Sequence, residues 1–276
     1  MSKNTVGENK TTIFIPTRGR SEKQKTLQCI PKKFLKNTVL VVHASEMELH
    51  KKYEDTVKVV PLEYNTLSEK KQLIMEMVST KYAIIVDDDL TFHARKEGKL
   101  VVADDSDVCS MFELLEFWLE GGIAHVGVSA RGGNNHVESS YLEVTRICLL
   151  CGLNVEVFRK EGVRFDRVPT MQDFDCTLSL LGKGYKNRVS YNYACGHTSG
   201  SKGGCSLYRN EKTQKESILF LKENFPYCVK ILKKTSGDSW EGFESQSRTD
   251  VNILWNKAYI PKISKNNLGK FFLCHL

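Results

Sequence analysis

One short stretch, residues 82–89, constrains the fold and the function of this chain more than any other. Five apolar or aromatic residues run directly into Asp87, Asp88 and Asp89. A short continuous apolar run predicts a strand buried on both faces, with the carboxylates where the strand leaves the sheet. Ligands of open α/β sheets bind outside that edge. Adjacent carboxylates repel one another unless a cation lies among them, and oxygen ligands suit Mg²⁺ or Mn²⁺. A solvated acidic turn after a core strand is the alternative interpretation.

The length and composition are those of an ordinary globular protein. The 276 residues allow one large or two small domains, with 41% hydrophobic and 26% charged residues. No apolar stretch is long enough to span a bilayer and the first ten residues are polar, so we expect a cytoplasmic protein without a membrane partner. The formal charge of +7 is compatible with a polyanionic partner. Nine scattered cysteines, including the pair Cys148 and Cys151, indicate reduced core thiols rather than disulfides or a zinc site.

The order of apolar segments predicts an α/β fold. In the first half, predicted strands at 12–16, 38–42, 57–61 and 82–86 alternate with predicted helices at 21–29, 46–53 and 69–78, and Ser21 and Ser68 are the expected caps. Such alternation indicates βαβ units and a mainly parallel sheet. In the second half we expect a polar loop at 96–107, helices at 107–121, 172–182 and 211–224, and strands at 125–129, 144–150, 155–158 and 190–195.

Two basic segments are candidates for phosphate contacts. Thr17, Arg18 and Arg20 follow the first strand, which ends at Pro16, and Arg supplies planar, permanently charged donors for a nucleotide. Lys70 and Lys71 lie on the predicted helix before the acidic strand end. A solvated loop and a wet helix face are the alternative interpretations of these segments.

Taken together, these segments resemble the GT-A fold glycosyltransferases, close in pattern to the large family 2 type. The matching pieces are residues 13–20, 65–78 leading into 84–89, 172–178 with 184–187, and His197, and they cover about residues 12–200. The resemblance implies a Rossmann-like, mainly parallel central sheet flanked by helices. It also implies a metal-dependent transferase that uses a nucleotide-sugar donor, most readily a UDP-sugar, with Mn²⁺ or Mg²⁺ and inversion at the anomeric carbon.

The resemblance also assigns roles to residues of the donor site. It places Asp87 on the ribose side and Asp89 on the metal, with Asp88 able to share either task. Pro16, Thr17, Arg18 and Arg20 would contact the nucleotide, and Lys70 and Lys71 would face it. His197 would complete the metal shell as the following loop closes, with glycines 200, 203 and 204 as its hinge. An ordinary exposed histidine is the alternative for His197.

Two carboxylates at the predicted start of a helix, Asp173 and Asp175, are candidates for the general base. Helix starts favour carboxylates through unpaired backbone N–H groups, which explains at least one of the two without any catalytic role. The resemblance matches Asp173 to the second residue of the ED-type motif, whose first residue is here Gln172. We therefore expect Asp173 to remove the acceptor proton, with Asp175 as the substitute.

The acceptor and the domain boundaries are less constrained. The pattern also resembles phage glycosyltransferases that modify hydroxymethylated DNA bases, which would act in the host cytoplasm. Basic loops near Arg131, Lys202, Arg209 and Lys212 would then hold phosphates. A glycan or protein acceptor, a nucleotidyltransferase and a non-catalytic nucleic-acid-binding protein remain alternatives. We expect a flexible segment at 1–11, a catalytic domain at 12–232 with its donor half at about 12–105 and its acceptor half at about 106–232, and a C-terminal extension at 233–276.

Overall fold

The computed structural model describes residues 10–135, 137–197, 208–235 and 247–262. The strands are β1 (Thr11–Pro16), β2 (Thr38–His43), β3 (Lys58–Leu62), β4 (Tyr82–Val86), β5 (Leu90–Lys96), β6 (Lys99–Val102), β7 (His125–Ala130), β8 (Tyr141–Glu143), β9 (Leu150–Asn154), β10 (Arg188–His197), β11 (Val229–Thr235) and β12 (Ser247–Ile253). The helices are α1 (Lys25–Gln28), α2 (Lys32–Leu35), α3 (Met47–His50), α4 (Leu67–Met77), α5 (Asp105–Glu120), α6 (Arg131–Asn134), α7 (Val155–Lys160), α8 (Gln172–Gly182), α9 (Glu211–Asn224) and α10 (Trp255–Ala258).

A single large sheet organises the fold, in the order β3-β2-β1-β4-β9-β7-β10-β5-β6, with β8 beside β10. The pairings among β3, β2, β1 and β4, and between β7 and β10, are parallel, whereas β9 and β5 run against their neighbours. Strands β1 to β4, β6, β7 and β10 therefore all point one way. This architecture confirms the predicted α/β class with a mainly parallel central sheet flanked by helices.

The strand before the three aspartates, β4, lies between β1 and β9 in the interior of this sheet, and every one of its side chains is buried. Tyr82, Ile84 and Val86 pack on one face in a cluster that includes α5, and Ala83 and Ile85 pack on the other with α4 and α8. Full burial of such a side chain contributes roughly 1.5–3 kcal/mol. The continuous apolar run thus fixes β4 in the middle layer and places the carboxylates at the edge.

Helix starts follow the predicted segments, but some caps differ from those expected. The side chain of Thr66, not Ser68, accepts the backbone N–H of Glu69 and begins α4. In α5, Asp104 is the cap, and Asp107 is its reciprocal partner three residues later. The helix predicted to begin at Ser21 is only the short α1, which has no side-chain cap.

Three predicted segments of the second half were wrong. Residues 96–107 are not a polar loop, because β5 and β6 pair as a hairpin and Ala103 continues to α5. The strand predicted at 144–150 begins only at its last residue, with β9, and the strand predicted at 155–158 is helix α7, capped by Asn154. Short apolar runs do not separate strand from buried helix by periodicity alone, which explains the exchange.

The C-terminal elements β11, β12 and α10 pack against α8 and α9. Strands β11 and β12 form an antiparallel hairpin. A third apolar cluster joins this hairpin to α8, α9 and α10 through Leu178, Leu221, Val251 and Ala258. The proposed boundary between residues 232 and 233 falls inside β11. Among the residues that the structure describes, no helix is long and apolar enough to cross a membrane.

Candidate active site at the carboxyl edge of the sheet

The site lies where two parallel strands end and two antiparallel strands begin. β1 and β4 are hydrogen-bonded neighbours, so the segments at 17–20 and 87–89 leave the sheet side by side. β9 enters at the same edge, because Leu150 pairs with Val86 and the Asp87 N–H donates to the carbonyl of Leu149 at 2.8 Å. The edge is therefore the ligand-binding position expected for an open α/β sheet.

The central aspartate of the acidic run anchors the loop at 17–20. The Thr17 hydroxyl donates to Asp88 at 2.5 Å, and Arg20 pairs with both Asp88 and Asp89, at 3.2 Å in the second case. The backbone N–H of Gly19 donates to the Glu46 carboxylate at 2.9 Å. Burial raises the pKa of Asp88, against the opposing effects of Arg20 and Thr17. Both oxygens of Asp88 are used inside the protein, so the expected contact between Asp88 and the donor or metal does not fit this geometry.

Thr17 and Arg20 thus organise the loop through contacts within the protein. Pro16 is the buried last residue of β1, and its predicted contact with a nucleotide stays a prediction. Arg18 is only partly buried and lies over the ring of Tyr64 at 5.5 Å, where it also donates to the carbonyl of Asn65 at 3.1 Å. Of these four residues, Arg18 is the one whose side chain remains best placed to reach a bound nucleotide.

Both lysines of α4 are buried at this edge, so their interpretation as a wet helix face was wrong. Lys70 donates to the carbonyl of Thr17 at 2.9 Å and lies 4.5 Å from the centre of the Tyr64 ring. The Lys71 ammonium lies 3.4 Å from Oδ1 of Asp87. That oxygen is buried and accepts no hydrogen bond within the described ranges. The lysines therefore bring positive charge directly against the acidic strand end.

Two of the predicted metal ligands, Asp87 and Asp89, lie in the turn between β4 and β5, and the third lies at the end of β10, which pairs with β5. His197 is the exposed last residue of β10, and its backbone is opposite Leu90, the residue after Asp89. In the chain as far as the structure describes it, no three His, Cys, Asp or Glu side chains converge on one point. The glycine hinge expected at 200–204 and Lys202 lie outside the described residues.

Asp173 lies in the first turn of α8, paired with an arginine that the sequence analysis did not single out. Nε and Nη2 of Arg146 both donate to Oδ2 of Asp173, at 3.1 and 2.8 Å. The Asp173 side chain is 18% exposed and that of Arg146 is 49% exposed, so the pair faces solvent. Arg146 was missed because it stands alone in an apolar segment that predicted a strand.

Asp175, the substitute base, is buried and fully bonded. Its two oxygens accept from Arg167 at 2.9 and 2.5 Å, and Arg167 also donates to the hydroxyl of Ser179 at 2.6 Å. Burial raises the pKa of Asp175, and Arg167 opposes that shift. With a side-chain exposure of 0%, Asp175 cannot meet an acceptor without a rearrangement.

A small cleft connects the acidic strand end to the start of α8. It is lined by Lys71, His125, Ile147, Cys148, Leu149, Cys151, Phe165, Asp173 and Cys176. Burial raises the pKa of the Cys148 thiol to about 11; Asp173 and Asp87 add to this shift, while Arg146 and Lys71 oppose it. The cleft is thus lined by Asp173 and by Lys71, the ion-pair partner of Asp87.

The walls of this cleft contain backbone in an unusual conformation. Leu149 and Met171, which precede β9 and α8, have φ angles of 63° and 61°. Positive φ at such side chains costs on the order of 1–3 kcal/mol and persists only where the surrounding structure enforces it. Both residues set the direction in which the neighbouring site residues leave the sheet or enter the helix.

Comparison with known proteins agrees with this geometry. The profile of the family described as TET-associated glycosyltransferase matches residues 11–204. A comparison with curated protein sequences gives no match. Similar solved structures include Staphylococcus aureus TarS residues 1–349 in complex with UDP-GlcNAc, at 15% identity and a TM-score of 0.52, with 78% of this chain and 66% of that chain covered.

A second similar structure is the mannosyltransferase PcManGT from Pyrobaculum calidifontis in complex with GDP-Man and Mn²⁺. It has 13% identity and a TM-score of 0.52, with 80% of this chain and 65% of that chain covered. This chain thus spans slightly less than two thirds of either structure. At these identities the likeness shows the GT-A fold, while the profile covers most of the chain. The chain belongs to the TET-associated glycosyltransferase family.

Proposed function

We propose that this protein transfers a sugar from a nucleotide-sugar donor to an acceptor hydroxyl, with inversion and with Asp173 as the general base. The single observation that carries the proposal is the shared cleft, which joins Lys71, the neighbour of Asp87, to Asp173. A transferase of this kind needs a cationic, carboxylate-edged site for the nucleotide and a separate carboxylate for the acceptor. Family membership supports the same activity.

The charged residues around the ends of β1 and β4 suit a nucleoside diphosphate. Arg18 and Lys71 provide positive charge, and Asp87, the residue proposed for the ribose side, pairs through Oδ1 with Lys71. We propose a UDP-sugar as the donor. The complex of TarS with UDP-GlcNAc supports a uridine nucleotide, although the mannosyltransferase uses GDP-Man, so the donor panel includes both nucleotides.

A divalent cation, Mn²⁺ or Mg²⁺, fits the side-chain types present at this edge, but these side chains do not converge on one point in the described residues and would have to move together to hold the ion. Asp87 presents a buried oxygen without a hydrogen bond, and His197 is opposite the residue that follows Asp89. Carboxylate oxygens and an imidazole are acceptable donors for Mn²⁺. Asp87, Asp89 and His197 would hold the ion, which would act as a Lewis acid on the charge that develops on the departing diphosphate.

The arrangement around Asp173 suits proton removal. Arg146 occupies only Oδ2, and Oδ1 has no hydrogen bond among the described residues. In the proposed reaction Oδ1 takes the proton of the acceptor hydroxyl as its oxygen bonds to the anomeric carbon. The bond from that carbon to the diphosphate breaks on the opposite side, and its electron pair leaves with the nucleoside diphosphate.

The acceptor that we propose is a hydroxymethylpyrimidine in DNA. The family description points towards DNA-base glycosylation, and a formal charge of +7 favours a polyanionic partner. A base in duplex DNA must leave the helix to reach such a site. The hydroxymethyl oxygen would then lie between Asp173 and the anomeric carbon.

The test is incubation with UDP- and GDP-sugars, Mn²⁺ or Mg²⁺, and matched plain or hydroxymethylated DNA. Mass spectrometry should show one added sugar on the hydroxymethylated base and none on the plain base, which lacks the attacking oxygen. Transfer to a glycan or protein alone would overturn the DNA acceptor but keep the transferase. If the protein neither hydrolysed any donor nor transferred a sugar to any acceptor, the proposed activity would be overturned.

An experiment on donor binding tests the role of the metal separately from the transfer reaction. We expect UDP affinity, measured by calorimetry, to fall by about tenfold or more with chelator or in Asp89→Asn, since carboxylate ligands are lost. Asp105→Asn, on the exposed start of α5, is the matched control and should bind UDP as the native protein does. Equal affinity with and without the ion would contradict metal dependence.

A further inference from the structure

An aromatic pair lies directly beside the proposed base. The rings of Phe174, the residue after Asp173, and Trp255 are stacked, with centres 6.3 Å apart and planes inclined by 19°. The guanidinium carbon of Arg146 lies 4.3 Å from the centre of the Phe174 ring. Arg146 therefore joins the base and the aromatic pair in one continuous group.

The partner ring comes from a part of the chain far from the rest of the site. Trp255 begins α10, immediately after the hairpin of β11 and β12, and that hairpin packs on α8 and α9. The C-terminal segment thus delivers an indole to the acceptor side of Asp173. Asp250, in β12, is one of the acidic groups that raise the pKa of Arg146.

Packing alone does not require this arrangement. Phe174 and Trp255 contact the third apolar cluster but both remain only partly buried, and Arg146 is half-exposed. Aliphatic side chains would fill the same partly open space equally well. Two stacked rings and a planar cation instead present flat π surfaces next to a carboxylate, and nucleobases stack on aromatic rings and on guanidinium planes.

We propose that Arg146, Phe174 and Trp255 form an acceptor subsite that stacks a single nucleobase and holds its hydroxymethyl oxygen beside Asp173. This inference rests on the proposed function and extends it to the means of base recognition. The exposed Lys257, in the same short helix as Trp255, is placed to meet a flanking phosphate. The hairpin is therefore part of the acceptor site.

The experiment compares Trp255→Leu, which keeps apolar packing, with Trp255→Phe, which also keeps a stacking ring. Tyr259→Leu is the matched control, because Tyr259 packs on the same apolar cluster from the same segment but lies under the Lys186 ammonium instead of against Phe174. Calorimetry would measure the affinity of each full-length variant for a hydroxymethylated oligonucleotide and for UDP, and thermal melting would follow stability.

We expect Trp255→Leu to weaken oligonucleotide binding by about tenfold or more, since base–aromatic stacking gives effects of that order. Trp255→Phe should recover most of the affinity for the oligonucleotide, because it keeps a stacking ring. The affinity of Tyr259→Leu for the oligonucleotide should stay within about twofold of native. UDP should bind all variants equally. In addition, the oligonucleotide should quench the tryptophan fluorescence of native protein more than that of Trp255→Phe, which needs no destabilised variant.

Several results would overturn the inference. These are unchanged oligonucleotide affinity in Trp255→Leu, an equal loss in Tyr259→Leu, equal quenching in native and Trp255→Phe protein, or binding of an oligosaccharide in place of the oligonucleotide. Failure of the proposed function has a different signature. Native protein would bind the oligonucleotide through Trp255 and yet transfer no sugar from any donor.

Discussion

Two aspartate–arginine pairs at the start of α8 have the same chemistry but different surroundings. Asp173 and Arg146 meet at the surface, through one oxygen of the carboxylate. Asp175 and Arg167 meet inside the protein through both oxygens, with Ser179 as a further partner of the arginine. Side chains two residues apart on an α-helix point about 200° away from each other, so one faces the cleft and the other the interior.

This difference separates a group that can react from a group that holds the fold. A general base must lie within hydrogen-bond reach of its proton, and only Asp173 borders the cleft. Asp175, which has no exposed surface and binds Arg167 through both oxygens, instead stabilises the start of α8. The contrast predicts opposite consequences for the same substitution at the two positions.

The largest expected effect is on catalysis. Asp173→Asn should lower turnover by about a hundredfold or more, because the amide cannot accept the acceptor proton, while UDP binding and melting temperature stay close to native. Single-turnover kinetics with hydroxymethylated DNA, together with calorimetry for UDP, would measure both.

Asp175→Asn is the matched control for that experiment. Its donor and acceptor kinetics should be native wherever the protein is folded. If Asp175→Asn abolished turnover with native stability while Asp173→Asn retained it, the assignment of the base would be two residues out of register.

The next effect is on stability. Asp175→Asn should lower the free energy of unfolding by roughly 2–3 kcal/mol, since it leaves Arg167 without its bidentate acceptor in a partly buried position. Urea denaturation would measure this change. Asp173→Asn should shift the same quantity by no more than about 0.5 kcal/mol. Equal losses at both positions would remove the distinction between the two pairs.

The sequence predicted the strand and the helix that carry the candidate site residues better than it predicted the contacts between those residues. The run at 82–86 could be assigned to a central strand because all five residues are apolar, and α8 was visible from its leucines. The sequence did not show how the three carboxylates are used: Asp87, Asp88 and Asp89 look equivalent in sequence, yet only Asp88 binds both Thr17 and Arg20. That division depends on which way each side chain leaves the turn.

Long-range partners were the other missing part. Lys70 and Lys71 lie on a helix whose polar face predicted solvent, but Lys70 meets the loop at 17–20 and Lys71 meets Asp87. Trp255 and Arg146 reach Phe174 and Asp173 through a hairpin and a loop that the local pattern did not resolve. Periodicity reports local structure, so contacts between distant segments need the fold.

A smaller effect is expected on the pH dependence of stability, from a histidine in the Asp173 cleft. Burial lowers the pKa of His125 to about 3, against an ordinary value of 6.5. Between these values the unfolded chain binds a proton that the folded protein does not, so stability falls as the pH falls, by up to about 1.4 kcal/mol per pH unit.

Replacement of this histidine removes the titrating group. Denaturation of native and His125→Gln protein at pH 7.5 and 5.5 should show a smaller decrease in the variant, whatever its absolute stability. Burial raises the pKa of Asp175, so that carboxyl contributes with the opposite sign, and its stability contribution falls as the pH rises. Identical pH slopes in the two proteins would show that His125 is protonated or exposed in the native state.

The smallest expected effect is the coupling free energy between Arg146 and Asp173. Its measurement compares this pair directly with the pair of Arg167 and Asp175. Double-mutant cycles with Arg146→Met and Asp173→Asn, and with Arg167→Met and Asp175→Asn, measure each pair without the separate effects of the single changes. An exposed pair should give about 0.2–1 kcal/mol, and the buried bidentate pair should give more. A larger coupling for Arg146 and Asp173 would mean that this pair is structural. It would then have to open before Asp173 could take a proton, and Arg146→Met would raise turnover instead of lowering it.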